Sequence, residues 1–230
     1  MPNHVTSIIK LTGDKKKIDE MLEAVKADEI GIGSLDFNKV IPMPESLNIT
    51  SGTATERGYE AYKGFMEVYT LFGTTNMDSI LHVPPSSEDA FLRQRPDIDR
   101  SEFELGKQAF QNEMRYGATT WYDWCINNWG TKWNSYGYDY FDRSDPSTIS
   151  FHTAWSAPHP IIEKLAERYP EVSIEHQWAD EDIGYNCGRR IYENGACIEQ
   201  YLPEGEEATE FAMNLLGYGD SEETMEEQSL

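Results

Sequence analysis

Residues 148–178 read TISFHTAWSAPHPIIEKLAERYPEVSIEHQW, and this stretch decides the fold. Residues 148–155 and 172–178 alternate apolar and polar side chains, a pattern typical of strands with one buried face. Between them the apolar residues recur with helical spacing, and Pro160 and Pro170 flank this segment as helix-boundary residues do. The stretch therefore predicts a β-α-β unit.

The N-terminal residues predict a second unit of the same kind. Residues 4–12 are rich in β-branched side chains, as strands are. Asp14 is a favourable helix N-cap, and residues 18–25 place four apolar side chains on one helical face. Residues 35–41 then read as a short strand, which Pro42 ends.

The C-terminal third adds a hairpin and a helix. Asn194-Gly195 between two strand-like runs is typical of a type I′ turn, in a register that places Arg190 opposite Glu199. With the two β-α-β units, this order of elements predicts an α+β ferredoxin-like sandwich, in which helices cover one face of an antiparallel sheet. An unrelated α+β fold with the same order of elements is the alternative.

The pattern divides the chain into four parts. We expect a discontinuous ferredoxin-like core over residues 1–45 and 116–202, interrupted by a helical insertion at residues 46–115. A C-terminal helix covers residues 203–219. Residues 220–230 have no core-forming pattern and predict a disordered acidic tail.

The charge balance narrows the classes of partner. The 230 residues contain 41 Asp and Glu against 19 Lys and Arg, which gives a net charge of −22. Such a chain is repelled by nucleic-acid backbones and by anionic membranes, so we expect no direct nucleic-acid binding and no membrane partner. Three scattered cysteines and an N-terminus without a signal-peptide pattern predict a cytoplasmic protein.

The acidic residues are concentrated near the C-terminus. Residues 191–230 contain eleven Asp and Glu and no Lys or Arg. Such a surface can bind a basic protein groove and compete there with nucleic acid, although the charge could equally serve solubility alone. The hypothesised acidic surface comprises Glu204, Glu206, Glu207, Glu210, Glu222, Glu223, Glu226 and Glu227.

An aromatic cluster suggests a second kind of site. Four of the six tryptophans lie within residues 121–133. Their rings could stack a flat ligand such as a nucleotide, with a few polar neighbours to orient it; alternatively they fill the core. The hypothesised ligand-binding residues are Trp121, Tyr122, Asp123, Trp124, Asn128, Trp129, Lys132, Trp133, Trp155 and Trp178.

Catalytic and metal-binding patterns are weak. His176 with Asp180, Glu181 and Asp182 could ligate a metal ion, but acidic residues are also common in turns without one. Cys125 could meet a histidine, yet a small buried thiol is the simpler interpretation. We therefore predict no catalytic residue, no metal and no cofactor.

Four segments carry a family resemblance. They are MPNHVT at residues 1–6, DFNKVIPMPESL at 36–47, WYDWCINNWGTKW at 121–133 and FHTAWSAP at 151–158. In these segments, and over residues 1 to about 202, the chain resembles the YubB-like proteins, a family of unknown function carried by conjugative plasmids and phages. The resemblance implies a ferredoxin-like domain and residence on mobile elements, and it transfers no catalytic residues.

These observations favour a non-enzymatic accessory protein of a plasmid or phage. The expected partner is a host protein, for instance a defence or DNA-handling protein, bound through the acidic surface. The alternative is a small-ligand or nucleotide-binding protein that uses the tryptophan-lined pocket.

Overall fold

The computed structural model of the chain describes residues 3–71 and 85–218. The chain forms two compact units, one of Met1–Pro42 with Cys125–Leu230 and one of Met43–Trp124. We refer to them as the sheet unit and the helical unit.

Five strands and eight helices are formed by the described residues. The strands are β1 (His4–Gly13), β2 (Thr148–Ala154), β3 (Val172–Asp180), β4 (Gly188–Glu193) and β5 (Ala196–Tyr201). The helices are α1 (Lys15–Val25), α2 (Phe37–Val40), α3 (Thr53–Leu71), α4 (Pro85–Leu92), α5 (Arg100–Tyr116), α6 (Trp121–Trp129), α7 (His159–Arg168) and α8 (Gly205–Leu216), with 3-10 turns at Glu45–Leu47 and Tyr138–Tyr140.

The strands form one antiparallel sheet in the order β2-β1-β3-β4-β5. Strands β2 and β3 both pair antiparallel with β1, which lies between them, so β2 and β3 are parallel to each other. Helix α7 connects β2 to β3 and completes the predicted β-α-β unit, with β1 lying between the two strands in the sheet. The antiparallel sheet and its helices agree with the predicted α+β ferredoxin-like class, with one β-α-β unit in place of the two predicted.

One face of the sheet holds the main core of the sheet unit. On β1 the buried side chains include Val5, Ser7 and Ile9, which alternate along the strand. Helix α1 begins as predicted, because the Asp14 carboxylate accepts hydrogen bonds from the backbone N–H groups of Lys16 and Lys17.

The prediction of a strand at residues 35–41 is wrong. The segment contains the short helix α2, and Asp36 caps it by accepting from the Asn38 N–H. The Phe37 ring is fully buried and lies edge-on to Trp129, with ring centroids 5.7 Å apart. The cap and this contact outweigh the β-propensity of the segment, so the second β-α-β unit is absent.

The hairpin forms with a different register from the predicted one. Asn194 and Gly195 have φ values of 51° and 81°, as a type I′ turn requires. A bulge in β5 then shifts the pairing, and Glu199 faces Ile191. The predicted Arg190–Glu199 pair is therefore wrong; Arg189 forms the ion pair with Glu199.

The helical unit is built on the crossing of α3 and α5. A Cβ atom on Gly58 would lie 1.8 Å from the Glu102 carbonyl oxygen, and one on Gly106 would lie 1.9 Å from the Gly58 carbonyl carbon. These two glycines allow the backbones to approach. An aromatic cluster that includes Tyr62, Phe65 and Phe103 fills the adjacent core. No helix within residues 3–71 or 85–218 is both long and apolar enough to cross a membrane.

Candidate functional site

A groove of about 560 Å³ lies on the sheet face opposite the main core. His4 and Thr6 line it from β1, and His152, directly opposite Thr6 in the register, lines it from β2. Alternate residues of a strand face the same side, which is why these side chains converge. The C-terminal end of α8 closes one side. We call this cavity the sheet groove.

Aromatic rings surround His152 in the sheet groove. Its ring centroid lies 5.0 Å from that of Phe141 and 5.6 Å from those of His4 and Tyr140. Tyr136 joins the cluster, because its hydroxyl lies 2.7 Å from His4 Nδ1. The rings thus form an aromatic lining rather than a closed core.

The segment that carries Tyr140 and Phe141 is fixed to the edge of the sheet. The Tyr136 N–H donates to the His152 carbonyl at 3.0 Å, and the His152 N–H donates back to the Tyr136 carbonyl at 2.7 Å. Gly137 has φ +76°, and a Cβ atom there would lie 2.5 Å from His152 Nδ1. A side chain at residue 137 would therefore collide with the imidazole.

The electrostatic character of the sheet groove is neutral to negative. Burial lowers the pKa of His152, and the neighbouring His4 lowers it further, while Glu181 opposes both effects. His152 is therefore neutral at neutral pH. Glu181 lies exposed at the groove, and no Lys or Arg is among the described residues that line it.

The acidic helix face is the exposed side of α8 with the residue before it. Ala208 and Ala212 pack against Ala179 and Cys187, which orients the opposite side of the helix toward solvent. In the described part of the chain, none of the carboxylates on that side forms an ion pair. The acidic helix face comprises Glu204, Glu206, Glu207 and Glu210; the other four residues of the hypothesised acidic surface, Glu222, Glu223, Glu226 and Glu227, lie outside the described residues.

Three of the ten hypothesised ligand-binding residues are buried aromatic rings. Trp124, Trp129 and Trp178 are 6%, 3% and 2% exposed. The Trp129 indole N–H donates to the Ile41 carbonyl at 2.8 Å. Trp178 packs on the core side of the sheet against Val5. All three rings are therefore buried, and Trp129 and Trp178 make contacts typical of core residues.

Three others meet at the surface of the sheet unit. Lys132 Nζ lies 4.6 Å from the Trp133 ring centroid and 4.7 Å from that of Trp155. Trp155 is 42% exposed and has φ +71°, an uncommon conformation for a residue with a large side chain. Its carbonyl accepts from Asn186 Nδ2 and its N–H donates to the Asn3 carbonyl, so the loop around it is fixed. Asn128, also in this unit, is half-buried on α6.

The remaining three residues belong to the helical unit. Tyr122 and Asp123 line a cleft of about 460 Å³, and the Trp121 ring contacts that of Tyr122 at 5.7 Å. Glu56 and Glu60 of α3 line the same cleft. We call it the helical-unit cleft.

The residues considered for catalysis and metal binding have other roles. Burial raises the pKa of the Cys125 thiol to about 12, so it is protonated at neutral pH. His176 is fully buried on the core side, 3.2 Å from Ser7 Oγ, while Asp180 accepts hydrogen bonds from Asn3 and Asn186. Over residues 3–71 and 85–218, no three His, Cys, Asp or Glu side chains are placed to ligate one metal ion.

The sheet groove was not identified from the sequence. In the sequence, Glu181 stands out only as a possible metal ligand next to His176. The two-residue spacing of His4 and Thr6 in a predicted strand could have indicated a shared face. The contributions of Tyr140 and α8 depend on tertiary structure.

Part of the sheet unit is similar to a known protein family. Residues 128–227 match the family model described as the ferredoxin-like domain in Api92-like protein. This part of the chain resembles an Api92-like domain. The match extends beyond the limit near residue 202 that the sequence resemblance implied, and it includes α8. The YubB-like assignment stays a prediction.

One solved structure is similar over most of the chain. It is the crystal structure of protein Api92 from Yersinia pseudotuberculosis, with 13% identity over 89% of this chain and 99% of that one, and a TM-score of 0.42. No curated protein matches the chain.

Proposed function

We propose that this chain is a non-enzymatic accessory protein of a plasmid or phage that binds a basic host protein through its acidic C-terminal region. The observation that carries the proposal is the acidic helix face. Its four exposed carboxylates lie together, without ion pairs among the described residues. Charges of one sign that no neighbour neutralises are available to a partner of opposite charge.

Long-range electrostatic attraction lets such a surface associate rapidly with a basic partner. Complementary charge increases the association rate constant more than it increases the affinity. Because DNA and RNA are themselves anionic, a host protein with a nucleic-acid-binding groove offers the matching basic surface. The chain would then compete with nucleic acid for that groove. The plasmid or phage context rests on the resemblance of the four sequence segments.

The test is quantitative capture of host proteins by variant chains. The variant Glu204→Gln, Glu206→Gln, Glu207→Gln, Glu210→Gln removes the four charges of the acidic helix face. The control removes the same charge from exposed sites elsewhere, through Asp19→Asn, Glu29→Gln, Glu45→Gln and Glu167→Gln. We expect the wild type and the control to retain the same host protein and the first variant to lose it. Equal retention by both variants would contradict the proposal.

A second candidate function is capture of a small ligand, which the helical-unit cleft favours. Tyr59 and Tyr122 offer rings for a flat ligand, and the carboxylates of Glu56, Glu60 and Asp123 lie around them. These carboxylates repel phosphate groups, so a neutral nucleobase or a cationic heterocycle fits better than a charged nucleotide. A melting-temperature screen tests this, because a ligand at 100 times its Kd adds about 2.7 kcal/mol of stability. Loss of the shift in Tyr122→Ala would assign it to the cleft.

A further inference from the structure

We propose that the sheet groove receives an arginine side chain of the basic partner. This inference rests on the proposed function and names the chemistry of one contact. Three independent features of the groove favour a planar cation with an aliphatic stem.

The first feature is the aromatic lining. Tyr140 is 81% exposed, and its ring, with those of Phe141 and His152, borders the groove. A guanidinium group stacks on aromatic faces and is attracted by the partial negative charge of the π-electrons on those faces. The exposed ring of Tyr140, next to two partly buried rings, offers such a face in the folded protein without a conformational change.

The second feature is the carboxylate of Glu181. The Glu181 backbone N–H donates to the His4 carbonyl at 2.9 Å, which fixes the residue beside the end of β1. Within the described part of the chain Glu181 forms no ion pair. A carboxylate can accept two parallel hydrogen bonds from a guanidinium, an arrangement that an ammonium group cannot match.

The third feature is the end of α8. Leu215, Leu216 and Gly217 line the groove, and the last turn of the helix contains no basic residue. The C-terminal end of a helix carries a partial negative charge, which favours a cation. The two leucines offer apolar surface for the methylene stem of an arginine.

The size and charge of the groove agree with this occupant. A volume of about 560 Å³ lies in the range of about 300–1,000 Å³ for ligand pockets and accommodates a side chain with flanking backbone. His152 is neutral at neutral pH and adds no positive charge. Among the described residues, the other titratable groups at the groove are His4, Tyr136, Tyr140, Glu181 and Tyr218.

The experiment uses the full chain and two short peptides. The probes are acetyl-Gly-Ser-Arg-Ser-Gly-amide and the same peptide with citrulline in place of arginine, which keeps the shape and removes the charge. Binding is followed at pH 7.5 and low salt through the backbone amide NMR signals of Thr6, His152 and Gly217. We expect saturable shifts with the arginine peptide and at least fivefold weaker binding of the citrulline peptide.

Variants assign the binding to the groove. Glu181→Gln and Tyr140→Ala change exposed side chains, so both should fold, which the dispersion of the amide signals verifies. Each should weaken binding of the arginine peptide at least fivefold, while Glu29→Gln, which removes an exposed charge outside the groove, leaves it unchanged. Equal binding of the two peptides, or unchanged binding by both groove variants, overturns the inference.

The same peptides separate this inference from the proposed function. If the variant of the acidic helix face loses the host protein but Glu181→Gln and Tyr140→Ala bind the arginine peptide as the wild type does, the groove inference is wrong and the proposed function stands. If the groove variants lose the arginine peptide while the acidic variant still captures the host protein, the groove inference stands and the acidic helix face is not the contact.

Discussion

At the scale of single residues, two imidazoles lie close together where α7 begins: His159 is the first residue of that helix, and His176 is on β3. His176 is fully buried, and the His159 ring lies 5.7 Å from it and 4.5 Å edge-on from Trp178. Burial lowers the pKa of His159 to about 4, with a smaller contribution from the Arg190 charge. Both rings are neutral in the folded protein at neutral pH.

The low pKa of His159 predicts that the folded protein loses stability between pH 6.5 and pH 4. The unfolded chain takes up a proton at His159 near pH 6.5, whereas the folded chain resists it until about pH 4. The stabilising contribution is therefore complete above pH 6.5 and is lost as the pH falls toward 4. We expect a loss on the order of 3 kcal/mol from this residue.

Thermal melting between pH 7 and pH 4.5 measures this effect. The wild type should lose stability across the window more steeply than His159→Gln, in which the titrating group is absent. Parallel stability profiles for the two chains would show that His159 does not titrate in this way.

Gly137 gives a second prediction at the residue scale. Gly137→Ala introduces a Cβ atom 2.5 Å from His152 Nδ1 at φ +76°, whereas Gly31→Ala at φ +87° has nothing within 4 Å. Both substitutions incur the strain of a left-handed conformation, about 1–2 kcal/mol. Gly137→Ala should cost at least about 1 kcal/mol more, as measured by denaturant unfolding. Equal costs would mean that the imidazole moves aside freely.

At the scale of elements, the sequence patterns predicted the secondary structure correctly for strands with one buried face. They failed where contacts between distant segments determine the structure. Strands β2 and β3 were predicted because their alternation reflects a buried face. Residues 35–41 show strand-like propensity, but the contact of Phe37 with Trp129 cannot be seen in one segment. The sheet groove was missed for the same reason, since it joins residues as distant as His4 and Leu215.

The crossing of α3 and α5 gives a prediction for the helical unit. Gly58→Ala places a Cβ atom 1.8 Å from a backbone oxygen of α5, whereas Gly64→Ala, in the same helix, meets nothing within 4 Å. We expect Gly58→Ala to destabilise the protein by about 3 kcal/mol, because backbone atoms must move apart. Gly64→Ala should stabilise it by up to about 1 kcal/mol through helix propensity. Denaturation midpoints compare the two, and a neutral Gly58→Ala would contradict the close crossing.

At the scale of the whole molecule, the large negative net charge predicts that association with a partner depends on salt concentration. The net charge of −22 acts over about a Debye length, roughly 8 Å at physiological salt, so added salt screens it. The acidic helix face and the cation-favouring features of the sheet groove lie in the same unit. Both are compatible with one basic partner.

The central claim, that the acidic helix face binds a basic host protein, is tested most directly by capture at two salt concentrations. The wild type, the four-glutamine variant of the acidic helix face and the charge-matched control are each exposed to host lysate at 50 and 300 mM NaCl. The account predicts one common protein retained by the wild type and the control at 50 mM, released at 300 mM, and absent from the four-glutamine variant. Retention of that protein by the four-glutamine variant, or binding that is equal at both salt concentrations, would contradict it.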